Sequence, residues 1–180
     1  GKKVLTKTDR PVLLALNKPR GIECTASKQV KNNIVDFVNY PCRVYPVGRL
    51  DKDSEGLILM TNQGDLVNKM MRSGNLHEKE YLVTVDKPVN ETFLKGMAAS
   101  VYLKELDVTT RPCEVEQTGK CSFRIILTQG YNRQIRRMCE TFGFKVTKLK
   151  RIRIMNIHLE ELKVGSYREV TPREMKELLE

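Results

Sequence analysis

The segment Gly48-Arg49-Leu50-Asp51-Lys52-Asp53-Ser54-Glu55-Gly56 runs directly into the apolar stretch Leu57-Ile58-Leu59-Met60. A short apolar stretch bounded by turn residues favours a buried central strand over a helix, although periodicity alone does not decide between them. Charged loops beside such strands often carry function. The segment therefore predicts a rigid strand with a candidate functional loop at its start.

The other predicted elements are strands and helices in irregular order. Apolar runs and alternation predict strands at 12–16, 81–85, 105–116, 121–128 and 144–159. Helical spacing and capping residues predict helices at 65–72, 90–101 and 131–142, and a last helix that begins at Thr171-Pro172. This order indicates an α+β fold with a mixed, mainly antiparallel central sheet, not a doubly wound one. We expect a basic lead-in at 1–10 and one folding unit at 11–180.

The chain is strongly basic. Its 180 residues include 32 lysines and arginines against 22 aspartates and glutamates, which gives a formal net charge of +10. This charge favours polyanionic partners and leaves RNA, DNA and anionic membranes as candidates. No apolar run approaches the roughly 20 residues that span a bilayer, and the start of the chain lacks the apolar segment of a signal peptide. We therefore expect a soluble, cytoplasmic protein and no membrane insertion.

The cysteines and histidines argue against a disulfide framework and a metal site. The five cysteines are an odd number, and none lie at the two-residue spacing of zinc ribbons and redox motifs. Only His77 and His158 add imidazole groups, and they lie far apart in the sequence. We expect reduced core cysteines and no metal.

Asp51 is the candidate catalytic carboxylate of the charged loop. It follows the apolar Leu50 and lies close to the predicted strand, which suits a cleft where a nearby arginine offsets the desolvation of an ionised carboxylate. The competing interpretation is a charged turn that forms its own ion pairs. A glycosidase that uses Asp51 and Glu55 as a carboxylate pair is another alternative, but a basic chain has no advantage with neutral sugars.

The segment 130–139 supplies candidate partners for a buried carboxylate. At about 100° per residue, one apolar stripe of the predicted helix contains Ile135, Met138, Cys139 and Phe142. Arg136 falls at the edge of this stripe, where an arginine can reach into a cleft and pair bidentately with a carboxylate. Arg133 and Arg137 point away from the stripe and are better placed for phosphate. A solvated basic helix face is the alternative.

Two further features indicate RNA contact. Four of the six positions 148–153 are basic, namely Lys148, Lys150, Arg151 and Arg153, as expected at the rim of a nucleic-acid groove. An edge strand protected by charge is the alternative. Tyr81 shares a predicted strand face with Val83 and Val85, which favours a core tyrosine, whereas stacking on a base is the functional alternative.

Four motifs in this order resemble those of the RsuA-type pseudouridine synthases. Gly48-Arg49-Leu50-Asp51, followed by Asp53-Ser54-Glu55-Gly56-Leu57 and Thr61-Asn62-Gln63-Gly64, looks like the central motif of that family. Leu16-Asn17-Lys18-Pro19-Arg20-Gly21 resembles its first motif, Lys79-Glu80-Tyr81 its tyrosine motif and Gln134-Ile135-Arg136 its last. Each motif is weak alone, but a chance match of four in order is improbable. The string Asn132-Arg133-Gln134-Ile135-Arg136-Arg137 is most similar to the RluF branch, although Arg133 stands where relatives often carry histidine.

The resemblance implies the pseudouridine synthase fold, with flanking helices and a catalytic cleft that crosses the sheet, and an activity that needs neither cofactor nor metal. By position, Asp51 is the catalytic carboxylate and Arg136 its ion-pair partner. Tyr81 stacks on the target base, and Arg49 fills the space that the flipped nucleotide leaves. Ile135 packs beneath the active site.

The resemblance also implies the substrate. The RluF branch modifies large-subunit (23S) ribosomal RNA and can act on tyrosine tRNA, and Lys18 and Arg20 of the first motif are further candidates for RNA binding. The family's usual N-terminal S4-type RNA-binding domain is not visible in this sequence, which begins with Gly1 rather than methionine. No long exposed apolar stripe is predicted, so we expect a monomer. A non-catalytic RNA-binding module is the main alternative function.

The expected reaction breaks the bond from ribose C1′ to uracil N1, turns the ring and rejoins it through C5. The base must leave its stack, at a cost of a few kcal/mol. An ionised Asp51 either attacks C1′ or takes the 2′ proton on the way to a glycal, and the sequence leaves both routes open.

Overall fold

The computed structural model describes residues 10–72 and 78–179. In chain order its elements are β1 (Leu13–Lys18), α1 (Ile34–Val38), β2 (Tyr45–Val47), β3 (Glu55–Thr61), α2 (Gly64–Arg72), β4 (Lys79–Val85), α3 (Glu91–Ala98), β5 (Tyr102–Leu103), β6 (Val108–Thr109), β7 (Glu114–Gly119), β8 (Ser122–Leu127), α4 (Gln134–Thr141), β9 (Val146–Ile154), β10 (Ile157–His158), β11 (Tyr167–Glu169) and α5 (Pro172–Leu179). They form two compact units. The first unit contains residues 10–72 and 156–179, and the second contains residues 78–155.

The first unit is built on β1 and β3, whose residues are all buried. The two strands pair antiparallel, with Leu14 opposite Met60 and Leu16 opposite Ile58. β11 adds antiparallel to β1, and β2 adds antiparallel to β3. The apolar run at 57–60, which predicted a central strand, therefore lies in a strand that pairs with both β1 and β2. Helix α1 is capped by Asn33, whose side chain accepts a hydrogen bond from the backbone N–H of Asp36.

The second unit contains the antiparallel strands β9-β4-β8-β7, in that order. Alternation along β8 buries Phe123, Ile125 and Leu127 on one face of these strands. Residues of α3 and α4 belong to the same apolar cluster, including Phe93 and Met138. Phe93 packs against Phe123 with ring centroids 5.4 Å apart. The predicted α+β fold with mainly antiparallel pairing is confirmed. No helix in the described part of the chain is long and apolar enough to cross a membrane.

Three predicted boundaries shifted where non-glycine residues take positive φ angles. Arg133 has φ +52°, so the helix predicted at 131–142 begins at Gln134. Met155 also has φ +52°, so the long strand predicted at 144–159 ends at Ile154 and resumes as β10. Asp107 has φ +51° within the short β5–β6 pair, which replaces the first part of the strand predicted at 105–116. Residues other than glycine rarely adopt such φ angles, and the residue type alone does not predict them.

The start of α5 makes a prediction about acid stability. Arg168 donates to both carboxylate oxygens of Glu174, at 2.8 and 2.9 Å, and the backbone N–H of Thr171 donates to one of them at 2.9 Å. The hydrogen bond from Arg168 and the contacts with Thr171 hold the pKa of Glu174 at about 2, against burial that raises it. Because this pKa is lower in the folded state, its stabilisation is fully present above the unfolded pKa and is lost as the pH falls towards 2. Replacement Glu174→Gln is therefore expected to lower the free energy of unfolding by about 1–2 kcal/mol at pH 7 and by much less near pH 3, measured by denaturant titration.

The control for that prediction is Glu177→Gln in the same helix. Glu177 faces Arg173 at 3.5 Å in an exposed pair, so its replacement is expected to change stability by less than about 0.5 kcal/mol at either pH. An equal loss for Glu174→Gln at both pH values would show that its carboxylate charge is not what stabilises this end of the chain.

Candidate active site

The loop that carries Asp51 joins β2 to β3 in the first unit. Gly48 starts it with φ +76°, and the buried side chain of Leu50 anchors it in the apolar cluster of this unit. The backbone N–H of Ser54 donates to the carbonyl oxygen of Asp51 at 3.0 Å and closes a tight turn. Asp51 is half-buried and is the first residue of this turn. Its backbone is thus fixed by packing on one side and by the turn on the other.

Hydrogen bonds from Cys24 and from Gly21 of the first motif hold the carbonyl groups on both sides of Asp51. The thiol of Cys24 donates to the carbonyl oxygen of Leu50 at 3.2 Å. The backbone N–H of Gly21 donates to the carbonyl oxygen of Lys52 at 2.7 Å. These contacts reach the loop from residues about 30 positions earlier in the chain. A carboxylate carried on such a backbone is pre-positioned, which is what efficient catalysis requires.

Lys18 adds a buried cation beneath the same loop. Its side chain is fully buried, and its ammonium group donates to the carbonyl oxygens of Pro19 at 2.9 Å, Ile22 at 2.8 Å and Lys52 at 3.3 Å. Sequence analysis predicted that Lys18 binds RNA. This prediction is corrected, because the ammonium group is enclosed and used by carbonyl oxygens of its own unit. Lys18 is instead a positioning residue of the Asp51 loop.

The charge of Lys18 is set by opposing effects. Burial lowers its pKa, whereas the acidic groups of Cys24, Asp53, Asp51 and Glu55 oppose that shift. The carboxylates of the loop are therefore close enough to interact with the ammonium group.

The remaining candidates in the first unit are accessible. Arg49 and Arg20 are both exposed, and Arg49 directly precedes the buried Leu50. RNA contact by Arg20 and Arg49 stays a prediction.

In the second unit, Tyr81 lies in the middle strand β4. It is opposite Ile125 of β8 and Arg151 of β9, and only 9% of its surface is exposed. It belongs to the same apolar cluster as Ile135 of α4. Tyr81 thus has the core packing that the sequence favoured. A role in stacking on a base stays a prediction.

Helix α4 places Arg136 half-buried, directly after the buried Ile135. Three residues of the predicted apolar stripe are buried, namely Ile135, Met138 and Cys139. Gln134 is buried as well. Phe142 differs, because 38% of its surface is exposed. Asp51 and Arg136 belong to different units, and their ion pair stays a prediction.

The other arginines of this segment differ in their surroundings. Arg133 is exposed at the start of α4. Arg137, predicted to bind phosphate, donates from Nε to the carbonyl oxygen of Asn132 at 2.8 Å and from its terminal nitrogen to the side-chain oxygen at 3.0 Å. Arg137 therefore braces the loop before the helix, and Arg133 is the better candidate for RNA.

The basic residues of β9 do not form one RNA-binding row. Arg151 is buried and faces the Tyr81 side of the sheet. Arg153 donates to Glu80 at 2.9 Å and to Glu78 at 2.6 Å. Lys148 is exposed and Lys150 half-buried. Direct phosphate binding therefore remains a prediction for the two lysines, whereas Arg153 is engaged with carboxylates of its own unit.

The five cysteines are thiols, as expected. Burial raises the pKa of Cys139 to about 12 and that of Cys113 to about 11, which makes both unreactive. His77 lies outside the described residues, and His158 is exposed in β10. Within the described ranges, no group of three histidine, cysteine or acidic side chains is arranged to hold a metal ion.

Sequence reasoning missed two contributors to the Asp51 loop. Cys24 was predicted only as a core thiol, and Lys18 as an RNA-binding residue. The clue for Lys18 was its position two residues after the apolar run 12–16. When a buried strand extends past such a run, its last residues are buried with it. No local pattern marks the bond from Cys24 to the carbonyl oxygen of Leu50.

Comparison with known proteins identifies this arrangement. The family model described as RNA pseudouridylate synthase matches residues 12–141, which include the Asp51 loop, Tyr81 and Arg136. The chain belongs to the RNA pseudouridylate synthase family. It is 56% identical over 167 residues, 93% of its length, to the Escherichia coli K12 protein named dual-specificity RNA pseudouridine synthase RluF. It is 34% identical over 176 residues to ribosomal large subunit pseudouridine synthase B of Bacillus subtilis, and it covers 72% of that protein.

A solved pseudouridylate synthase has the same fold. It superposes with a TM-score of 0.85 at 31% sequence identity, over 97% of this chain and 76% of the other. The predicted resemblance to RsuA-type pseudouridine synthases and the predicted fold are confirmed. The chain spans 57% of the Escherichia coli relative and 59% of the corresponding Salmonella typhi protein.

Proposed function

We propose that this chain isomerises uridine to pseudouridine in structured RNA, with Asp51 as the catalytic carboxylate. The observation that carries the proposal is the Asp51 loop. Its carbonyl groups on either side of Asp51 are held by Cys24, Gly21 and Lys18, within the region that matches the family. A charged turn without function has no need of such a fixed backbone. The half-buried carboxylate at the start of the turn suits a reaction that needs an ionised, oriented oxygen.

The reaction requires no co-reactant. The C1′–N1 bond breaks, the uracil ring turns, and a C1′–C5 bond forms; C5 then loses its proton and N1 carries one. Asp51 acts at the ribose, by attack on C1′ or by removal of the 2′ proton. Arg49, exposed beside the loop, fills the gap left by the flipped base, and Tyr81 stacks on the uracil. Ile135 packs beneath the site.

Arg136 is proposed to keep Asp51 ionised. A half-buried guanidinium group is a suitable partner for a carboxylate that must stay charged away from bulk water. The support is its position at the edge of the buried face of α4 and its place in the family's last motif. Arg20, Arg133, Lys148 and Lys150 are proposed to contact phosphates outside the target nucleotide.

The proposed substrates are 23S large-subunit ribosomal RNA and tyrosine tRNA. The proposed catalytic domain is 11–180, and the chain acts on these RNAs as a monomer in the cytoplasm. The support is the 55–56% identity to relatives named dual-specificity RNA pseudouridine synthase RluF. The net charge of +10 also suits RNA.

A nucleoside analysis tests this proposal. The chain, in excess, is incubated with transcripts of 23S rRNA, 16S rRNA and tyrosine tRNA, and the digested RNA is separated by chromatography. Pseudouridine at one uridine of the 23S transcript is the expected result, with less in the tRNA and none in 16S rRNA. Tight binding without any pseudouridine would instead indicate a non-catalytic RNA-binding module. Release of free uracil would indicate a glycosidase that uses Asp51 and Glu55.

A further inference from the structure

The first unit contains an open cavity of about 230 Å³ beside helix α1. Its buried lining is apolar, because Cys42 and Val44 belong to the apolar cluster of this unit and Val35 and Tyr40 pack against that cluster. Pockets for drug-sized ligands commonly measure roughly 300–1,000 Å³. This smaller cavity therefore suits a single flat group, such as one base, and not a base pair.

Two cations are exposed in the lining of the cavity, namely Lys28 and Arg43. The guanidinium group of Arg43 lies over the ring of Tyr45, 5.3 Å from the ring centroid. This contact holds the arginine in place while its positive charge stays accessible. Lysine and arginine are the side chains that bind phosphate, so the cavity can hold a base whose phosphate lies at these cations.

Two further side chains of the lining can bind the edge of a base. Asp36 and Asn39 both line the cavity and are exposed. One carboxylate oxygen of Asp36 accepts a hydrogen bond from the side chain of Asn33 at 2.8 Å, which fixes the carboxylate. A carboxylate accepts hydrogen bonds from the N–H groups of a base, and an amide can donate or accept. The lining thus combines an apolar wall with a few polar groups, as binding sites do.

Tyr40 is an ordered wall of this cavity. Its ring lies edge-on to that of Tyr167, with the centroids 5.6 Å apart, and its hydroxyl group donates to Glu169 at 3.1 Å. Both partners belong to β11, so the tyrosine is fixed by the sheet. A wall that is already ordered binds a flat base at little cost in entropy.

The segment that lines the cavity also holds the Asp51 loop. The thiol of Cys24 donates to the carbonyl oxygen of Leu50 at 3.2 Å, and Ala26, two residues later, lines the cavity. Two residues of chain span at most about 7 Å. The cavity and the backbone that carries Asp51 are therefore neighbours within one unit, and an RNA strand bound at Asp51 passes within reach of the cavity.

We propose that this cavity binds an unpaired nucleotide of the substrate RNA, close in the strand to the uridine at Asp51. This inference rests on the proposed function. The base enters beside Tyr40, its polar edge meets Asp36 and Asn39, and its phosphate lies at Lys28 and Arg43. Proteins recognise RNA mainly at unpaired nucleotides, whose bases can leave the stack and enter a pocket. The cavity thus helps to select the uridine that is modified and takes no part in the reaction itself.

The test removes the base from the RNA and the space from the cavity. The RNA is a short stem-loop that contains the target uridine, either intact or with one abasic nucleotide at each other unpaired position in turn. The variants are Ala26→Leu, which fills the cavity, and Arg43→Gln. The control is Arg173→Gln, because Arg173 is exposed in α5 of the same unit. Affinity is measured by filter binding, and pseudouridine formation on the intact RNA is measured separately.

One abasic position is expected to weaken binding to the parent chain by about 5- to 100-fold, as loss of a stacked base does. Ala26→Leu is expected to show the same loss on intact RNA and less than about 3-fold further loss on that abasic RNA, because both changes remove one interaction. Arg43→Gln is expected to weaken binding and to lower the salt dependence by about one phosphate contact. Arg173→Gln is expected to stay within about 2-fold of the parent.

Three results would overturn the inference while leaving the proposed function intact. The first is a parent chain that binds every abasic RNA within about 3-fold of intact RNA, a result that needs no folded variant. The second is additive losses for Ala26→Leu and the abasic position, which would place that base elsewhere. The third is normal RNA affinity of Ala26→Leu; a changed sedimentation of this variant would then indicate that a second copy of the chain occupies the cavity.

The proposed function fails separately. If the parent makes no pseudouridine on any RNA, uridine isomerisation is contradicted, whereas the measured affinities still decide whether an unpaired nucleotide occupies the cavity.

Discussion

Replacement of Asp51 by asparagine is expected to abolish pseudouridine formation while leaving RNA affinity within about 3-fold of the parent. Asparagine preserves the shape of the side chain and the backbone bonds to Leu50 and Lys52, but it is neither a nucleophile nor a base. Loss of a group that acts directly in bond making commonly costs about 10⁴-fold or more in rate. The rate is measured by nucleoside chromatography after incubation with excess protein, and the affinity by filter binding.

The matched control is Asp65→Asn. Asp65 is an exposed aspartate in the first turn of α2, in the same unit as Asp51. Its replacement removes the same charge and is expected to leave the rate within about 2-fold of the parent, because exposed positions tolerate such changes. Turnover by Asp51→Asn at more than a few per cent of the parent rate would remove Asp51 from the chemistry.

Replacement of Lys18 by methionine is expected to have the largest effect on stability. Methionine can fill the space of the lysine stem, but it removes the ammonium donor from the carbonyl oxygens of Pro19 and Ile22, and it leaves that of Lys52 with the backbone N–H of Gly21. It also removes the only positive charge buried beneath Asp51 among the described residues of this unit. We expect the free energy of unfolding to fall by about 2–4 kcal/mol and the catalytic rate of the folded fraction to fall at least about 10-fold.

Lys52→Met is the control for Lys18→Met. The side chain of Lys52 is exposed in the same loop, and only its carbonyl group takes part in the network. The free energy of unfolding of Lys52→Met, measured by denaturant titration, is expected to differ from that of the parent by less than about 0.5 kcal/mol. Similar stability for Lys18→Met and Lys52→Met would show that the buried ammonium group does not hold the loop.

The sequence predicted the elements whose signals are local. The apolar run at Leu57 gave a buried strand, and Asn90 caps α3 through a hydrogen bond from the backbone N–H of Phe93. The motif spacing predicted the family and the Asp51 loop. In each case the residues that carry the signal are neighbours in the chain, so their pattern is visible without the fold.

The failures involve contacts that join distant residues. Lys18 looks like a surface cation until its ammonium group is placed against the carbonyl oxygen of Lys52, 34 positions later. Arg153 looks like a phosphate ligand until β4 brings Glu80 to it. Charge and residue type are the same in both interpretations, and only the fold decides which carbonyl oxygen or carboxylate a cation meets.

The most direct test of the central claim is the release of tritium from RNA that carries uridine labelled at C5. Formation of the C1′–C5 bond expels that hydrogen into water, whereas RNA binding and hydrolysis of the glycosidic bond leave it on the base. Release by the parent chain of one equivalent per modified uridine, and no release by Asp51→Asn, is the expected result. Absence of release from every ribosomal and transfer RNA transcript, under conditions of tight binding, would contradict it.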